Sequence, residues 1–309
     1  MVVTPHNSSL PRVAVLLAVY NGMKWLEDQV KTIMAQKGVE ITLFISVDRS
    51  DDGSDKWCQN LADFDSRVVL LPTGQKFGSA TQNFFRLLRD VDFSPFQYVS
   101  FADQDDIWAD HKLLRATEYL ESGRYSAYSS NVEAFWPNGK RRLINKSQPQ
   151  CEMDHLFEAA GPGCTYVMVR DLVRDVQACL RNFPLEVSRV DFHDWFCYAF
   201  ARGRGYKWYV DDSCFMRYRQ HASNSVGVNA GLKPFIVRAK HIWAGNGIKQ
   251  TELLLNVVYG GGGEEAGFTI PASRLDFLKL AFTASRYRRR LRDRCFFSCF
   301  CILKALIGA

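Results

Sequence analysis

The 309-residue chain is 47% hydrophobic with a formal net charge of +6, a composition that supplies a sizeable core and excludes global disorder. That length holds one large α/β domain, or a catalytic domain plus a smaller appendage. Much of the basic excess sits in RYRRRLRDR at 286–294, so a nucleic acid or an anionic membrane would meet one end of the chain while the remainder is close to neutral.

RVAVLLAVYNG (12–22) is a continuous apolar run ended by Asn-Gly, which predicts a buried strand entering a turn. Helical spacing follows in WLEDQVKTIMAQ (25–36), with Trp25, Leu26, Val30, Ile33 and Met34 on one side. ITLFISVD (41–48) predicts a second buried strand closed by the loop RSDDGSD, KWCQNLADF a short helix, and RVVLLP (67–72) a third strand. ATQNFFRLLRDV then reads as a helix and QYVSFAD as a fourth strand. This alternation predicts a parallel sheet with helices on both faces.

After residue 110 the pattern is less regular. KLLRATEYLESG predicts a helix, YSAYSSNVEAFW a strand, and GCTYVMVRDLVRDV a strand that turns helical. DFHDWFCYAFARG (191–203) predicts a helix with Asp194 in its first turn, followed by the strand YKWYVDD. GGGGEEAG (260–267) reads as a flexible break before an α-helical tail. The nine cysteines are odd in number and scattered, which predicts reduced thiols rather than a disulfide framework or a zinc site. No signal peptide is expected from the opening residues, and no uncharged apolar run is long enough to span a membrane.

Ligands of open parallel sheets bind outside the carboxyl ends of the strands. Three polar features fall there: Tyr20-Asn21-Gly22, Asp48 with Asp51-Asp52-Gly53, and Asp103-Gln104-Asp105-Asp106. Carboxylates as close as Asp103, Asp105 and Asp106 repel one another unless a cation or hydrogen-bond donors compensate them. Oxygen-rich loops of this kind suit Mg²⁺ or Mn²⁺ holding substrate phosphates, although Asp106 before IWADHKLL also fits a helix cap. The Asp48 loop fits a grip on base or ribose and equally fits ordinary turn chemistry. Asp194, at the start of a helix, suits a proton acceptor if it faces the crevice and a first-turn residue if it does not. MRYRQHASNSVG (216–227) gathers Arg217, Arg219, Gln220 and His221, donors suited to phosphate oxygens, with His221 also a potential metal ligand.

AVYNG (18–22), SVDRSDDGS (46–54), FGSATQNF (77–84), FADQDDIW (101–108), HDWF (193–196) and YRQHASNSVG (218–227) occur in one order that resembles family 2 glycosyltransferases. Within that family the pieces are most similar to bacterial rhamnosyltransferases of polysaccharide assembly. The resemblance implies a GT-A α/β fold, with a Rossmann-like, mostly parallel sheet flanked by helices over residues 1–230. A C-terminal helical region over 231–309 would follow.

It further implies that Tyr20, Asn21, Asp48, Asp51, Asp52, Gly78, Asn83, Asp103, Arg219 and Gln220 bind a nucleotide-sugar donor. Asp105, with Asp103 and His221, would hold Mg²⁺ or Mn²⁺, and Asp194 would be the general base of an inverting transfer. His193 stands where the family usually has Glu, and an insertion separates Asp48 from Asp51-Asp52. dTDP-rhamnose is the implied donor, with UDP-sugars open, and the acceptor is a glycan or a polyprenyl-diphosphate-linked sugar in cell-surface polysaccharide synthesis.

Residues 286–309 set a basic segment before an apolar end, which suits an anionic membrane surface or a helix packed back with solvated arginines. The first option places the protein in the cytoplasm, peripheral on the inner face of the membrane. Two other readings compete. A nucleic-acid-binding protein would use the Arg-rich end, though no recognition motif accompanies it. A sugar nucleotidyltransferase would also want carboxylates and Mg²⁺, but would carry a basic Gly-rich loop where the chain has AVYNGMKWLEDQ.

Overall fold

The computed structural model describes residues 9–221, 246–260 and 267–307. Strand β1 (Arg12–Val19) pairs in parallel with β2 (Glu40–Val47) on one side and β4 (Tyr98–Ala102) on the other, and β3 (Val68–Leu70) extends the sheet beyond β2. Helices α1 (Met23–Met34), α2 (Ser54–Phe64) and α3 (Ala80–Asp90) alternate with these strands. The apolar run of β1 is buried on both faces. Ala14 and Leu16 join one core, Val13, Val15 and Leu17 the other, as the two-residue period of a strand requires.

The second half comprises β5 (Ile107–Trp108), α4 (Lys112–Glu121), β6 (Ala127–Phe135), β7 (Arg141–Ile144) and β8 (Val167–Val169). After these come α5 (Arg170–Asn182), α6 (Pro184–Val187), α7 (His193–Gly203) and β9 (Trp208–Arg219). The sheet order is β3-β2-β1-β4-β8-β6-β9-β5, with β7 on β6. β8 runs antiparallel to both β4 and β6, so the sheet is mixed beyond β4.

One strand differs from expectation. YKWYVDD marks only the start of β9, which continues to Arg219 beside β6, with register shifts around Ser130 and Asn131. The Asn131 amide donates to the Asp212 carbonyl at 2.8 Å and carries the pairing across that irregularity. The longer strand delivers Arg219, Gln220 and His221 to the rim where β1, β2 and β4 end. The remainder of that motif, 222–227, and the glycines at 261–263 lie outside the described residues.

The C-terminal helices are α8 (Asn246–Tyr259), α9 (Arg274–Phe282) and α10 (Leu291–Ile307). Leu253, Leu254, Val257 and Val258 of α8 enter the core formed by α3, α5 and α7. Phe277 and Leu280 of α9 and Cys301 and Ala305 of α10 pack around Met153 and Leu156. No described helix is long and apolar enough to cross a membrane.

The basic segment is not a solvated face. Arg286 pairs with Glu152 at 2.7 Å, Arg288 donates to the Phe157 carbonyl at 2.5 Å, and Arg290 donates to Gln148 at 3.0 Å. Arg289 is buried between Asp154 and Glu158, at 3.4 and 3.3 Å. Asp154 in turn accepts from Tyr198 and Arg202 of α7. Arg286, Arg288, Arg289 and Arg290 compensate acceptors of segment 146–159, which lies too far away in the chain for local spacing to pair them, while Arg292 stays exposed beside Asp293.

Candidate active site

Three loops meet at the carboxyl ends of β1, β2 and β4. Asn21 takes a left-handed turn with φ 45°, which its short amide side chain tolerates. Its N–H donates to Ser50 Oγ and its Oδ1 accepts the Asp51 N–H, both at 3.0 Å. Asp52 accepts the N–H of Met23 at 2.9 Å and of Ser54 at 3.0 Å, joining the starts of α1 and α2.

Gln104, a residue the sequence reading gave no role, closes the third side. Its amide exchanges two 2.9 Å hydrogen bonds with the Tyr20 backbone and lies over Gly22. A Cβ at Gly22 would sit 2.3 Å from Gln104 Oε1, so only glycine admits this clamp. The Tyr20 ring remains exposed at the rim.

Asp48 has a different occupation from the one its motif suggests. Its carboxylate accepts N–H bonds from Arg49, Phe77 and Gly78, each at 2.8 Å. It therefore shapes the loop over the crevice. Gly78 sits there with φ 80°. Asn83 is fully buried, its amide bridging Ser46 and the Val19 carbonyl. It ties α3 to the ends of β1 and β2.

Asp103, Asp105 and Asp106 form the acidic floor. Burial, then repulsion from Asp105 and Asp194, raises the Asp103 carboxyl to about 7. Burial also raises Asp105, against the opposing effect of His221, whose Nε2 lies 2.6 Å from Asp105 Oδ2. The His221 ring stacks on Trp25 with centroids 4.0 Å apart. Arg219 braces this floor through its N–H to Asp106 Oδ1 at 3.1 Å and its Nε to the Asp105 carbonyl at 2.7 Å. Its guanidinium also reaches Asp28 at 3.3 Å. Gln220 is buried, with its N–H on the Phe135 carbonyl at 2.9 Å.

The floor fits a divalent cation. Asp103, Asp106 and Cys164 bring ligand atoms within 4.8 Å of one another, and Asp106 Oδ2 is buried with no hydrogen-bond partner. Burial and the neighbouring carboxylates push the Cys164 thiol well up, which leaves it protonated and a poor partner for a hard ion. Asp103 and Asp106 remain as oxygen donors suited to Mg²⁺ or Mn²⁺, while Asp105 and His221, paired with each other at 2.6 Å, fall outside that cluster.

Asp194 faces the same floor, close enough for its charge to raise Asp103. The start of α7 is held by Thr81 of α3, which donates to the Asp191 carbonyl at 2.7 Å and accepts the His193 N–H at 3.3 Å. His193 stacks on Phe84 at 4.0 Å and meets Phe101 edge-on at 5.3 Å. Burial lowers it to about 3, so it is a neutral packing ring. That aromatic seat accounts for His193 in place of an acidic residue.

Burial raises Asp194 to about 6, opposed by the Trp195 N–H at 2.7 Å and by Lys146. A carboxyl poised near neutrality beside a crevice suits proton transfer. The structure thus brings Tyr20, Asp103, Asp105, His221 and Asp194 to one rim, while Asp48, Asp52, Asn83 and Arg219 bond chiefly to the protein. Trp25 and Lys146 are rim residues that no motif indicated, and Gln104 one whose motif assigned it no role.

A sheet of this order, with acidic loops gathered on one rim, is the GT-A architecture of nucleotide-sugar transferases. Among solved structures the chain is similar to S. aureus TarS 1–349 in complex with UDP-GlcNAc, with TM-score 0.55, 11% identity and coverage of 95% of this chain and 89% of that one. It is also similar to the mannosyltransferase PcManGT from Pyrobaculum calidifontis in complex with GDP-Man and Mn²⁺, with TM-score 0.52, 15% identity and coverage of 98% and 89%. Residues 14–167 match the model of glycosyl transferase family 2. A dTDP-rhamnosyl transferase, RfbG of Shigella flexneri, is 43% identical over 218 residues, 70% of this chain and 75% of the relative. The chain belongs to glycosyl transferase family 2, and it is a glycosyltransferase.

Proposed function

We propose that the chain transfers L-rhamnose from dTDP-rhamnose, with inversion, to a hydroxyl of a glycan or polyprenyl-diphosphate-linked acceptor in cell-surface polysaccharide synthesis. The donor assignment is carried by the 43% identity to a dTDP-rhamnosyl transferase over three quarters of its length. Asp194, ionised above about 6, takes the proton of the acceptor hydroxyl. The acceptor oxygen forms its bond to the anomeric carbon as the bond to the nucleoside diphosphate breaks on the opposite face. Asp105, His221 and Asp103 would hold Mg²⁺ or Mn²⁺, whose charge would stabilise the departing diphosphate. Tyr20 offers an exposed ring for the base, and the loop shaped by Asp48, Asp51, Asp52 and Gly78 borders it.

A panel of dTDP-, UDP- and GDP-sugars, assayed for metal-dependent binding and hydrolysis, tests the donor. Preference for dTDP-rhamnose is expected, and preference for another nucleotide would overturn it. The other two readings of the sequence lose their support. The arginines that would meet nucleic acid are engaged within the protein, and family membership favours transfer over nucleotidylation.

A place on the cytoplasmic face of the membrane now rests on apolar rather than basic residues. Phe282, Leu306 and Ile307 are 84%, 70% and 66% exposed, apolar side chains available to an interface. Leu306→Ser with Ile307→Ser should move the protein from membrane to soluble fractions. Unchanged partitioning would reject the membrane role. Deletion of 286–309 is the poorer test, because it also removes the buried Arg289 pairs.

A further inference from the structure

The segment between β7 and β8 forms a wall of the crevice beside Asp194, and one cation on it has no assigned task. Lys146 is half-buried. Its backbone is fixed at both ends: its N–H donates to Asn131 Oδ1 at 2.6 Å and its carbonyl accepts from Arg289 Nη1 at 3.3 Å. Among the described residues its ammonium makes no hydrogen bond or ion pair.

Two glycines place the base of its stem near the start of α7. A Cβ at Gly161 would touch Lys146 Cβ and Cγ at 3.7 Å, and a Cβ at Gly163 would lie 3.2 Å from Asp194 Cβ and 2.7 Å from His193 Nε2. Two residues of chain span at most about 7 Å, so the lysine stem and the Asp194 carboxylate flank one short glycine bridge. Burial, then Arg290 and Arg289, lowers the ammonium to about 8, with Glu158 and Asp194 opposing. It is predominantly charged at neutral pH.

We propose that Lys146 is a substrate-contacting residue that binds a phosphoryl oxygen in the crevice beside Asp194. This rests on the reading that Asp194 lines the transfer site. A lysine ammonium is a compact point charge suited to phosphate, and Arg289 holds its backbone from behind. The phosphoryl group belongs either to the departing nucleoside diphosphate or to a diphosphate-linked acceptor, and both present the same oxygen chemistry.

The test compares the full-length parent with Lys146→Met and Lys146→Arg by calorimetry in the presence of Mn²⁺. One arm measures dTDP, UDP and GDP. The other measures farnesyl diphosphate added to the nucleotide-saturated protein. Lys146→Met should weaken at least one arm about ten-fold or more, the scale of a lost charge-assisted hydrogen bond, and Lys146→Arg should recover most of it.

Loss in the nucleotide arm assigns the contact to the leaving group, and loss in the farnesyl diphosphate arm assigns it to the acceptor. Unchanged affinity in both arms would overturn the proposal, as would equal loss in the Met and Arg variants, which would mark a packing role for the stem. If Lys146→Met melts early, Lys146→Gln takes its place under the same criteria. A parent that binds none of the three nucleotides would overturn the donor reading alone, since farnesyl diphosphate titrated into the nucleotide-free parent and variants still reads Lys146 under the same criteria.

Discussion

Two acidic clusters in this protein are built in opposite ways. Asp154 is buried and Glu158 half-buried beside Arg289, with Arg202 and Tyr198 completing the set. Asp103, Asp105 and Asp106 are drawn together with His221, the N–H and guanidinium of Arg219 and a buried Lys112 near them, yet Asp106 Oδ2 accepts no hydrogen bond. The first cluster carries its own cations and joins the C-terminal arm to the helix that bears Asp194. Burial raises the carboxyls of the second, with repulsion between them adding to it at Asp103 and Asp106. An added cation would oppose that, whereas in the first cluster Arg202 and Arg289 already oppose the burial of Asp154. Acidic residues alone do not mark a site; a buried carboxylate oxygen that accepts no hydrogen bond, as at Asp106, is the second sign.

That contrast predicts which substitutions cost activity and which cost stability. Asp194→Asn should lower transfer by roughly 10²–10⁴-fold, the range for loss of a general base, with nucleotide affinity retained in calorimetry. Equal loss of both would count against the base assignment. Arg289→Met should cost about 3–5 kcal/mol in urea unfolding, because it strands buried carboxylates. A change under about 1 kcal/mol would erase the distinction between the clusters.

Gly163→Ala should cost about 1–3 kcal/mol through overpacking against His193, and a parent-like urea midpoint would mean the ring can move aside. Arg286→Ala removes only an exposed pair with Glu152 and should leave the midpoint unmoved. A large shift there would show that the rim of the arm matters as much as its buried centre.

The pH response sharpens the same contrast. Asp103 at about 7 and Asp194 at about 6 lie above an unfolded carboxyl near 4. Between those values the folded, metal-free protein binds more protons than the unfolded chain, so the contribution of these groups falls as pH rises from about 4 to about 7. A cation at the floor relieves that loss. The rise in melting temperature given by Mn²⁺ should therefore be larger at pH 7.5 than at pH 5.5, and an equal rise at both would contradict it.

The crevice floor was legible because β1, β2 and β4 are mostly apolar runs that end in polar turns. Burial on both faces leaves one reading of such a run, and the carboxyl end then names the site. The helix start at Asp194 was legible for the same reason. Asp48 was not, since a motif cannot reveal that a carboxylate is turned back on the N–H groups of Phe77 and Gly78. Nor was the arm: Arg289 meets Asp154 across 135 residues of chain, a long-range pairing to which local charge counts are blind. The extension of β9 was missed because MRYR is polar, while its pairing with β6 does not depend on an apolar pattern.

We propose that a divalent cation completes the floor at 103–106 and serves nucleotide binding. Calorimetry of the preferred nucleoside diphosphate with Mn²⁺ and with EDTA, on the parent and on Asp105→Asn, tests it most directly. The account predicts that Mn²⁺ tightens binding by about 10–100-fold in the parent and that Asp105→Asn abolishes the gain. Equal affinity with Mn²⁺ and with EDTA, or an undiminished gain in Asp105→Asn, would contradict it.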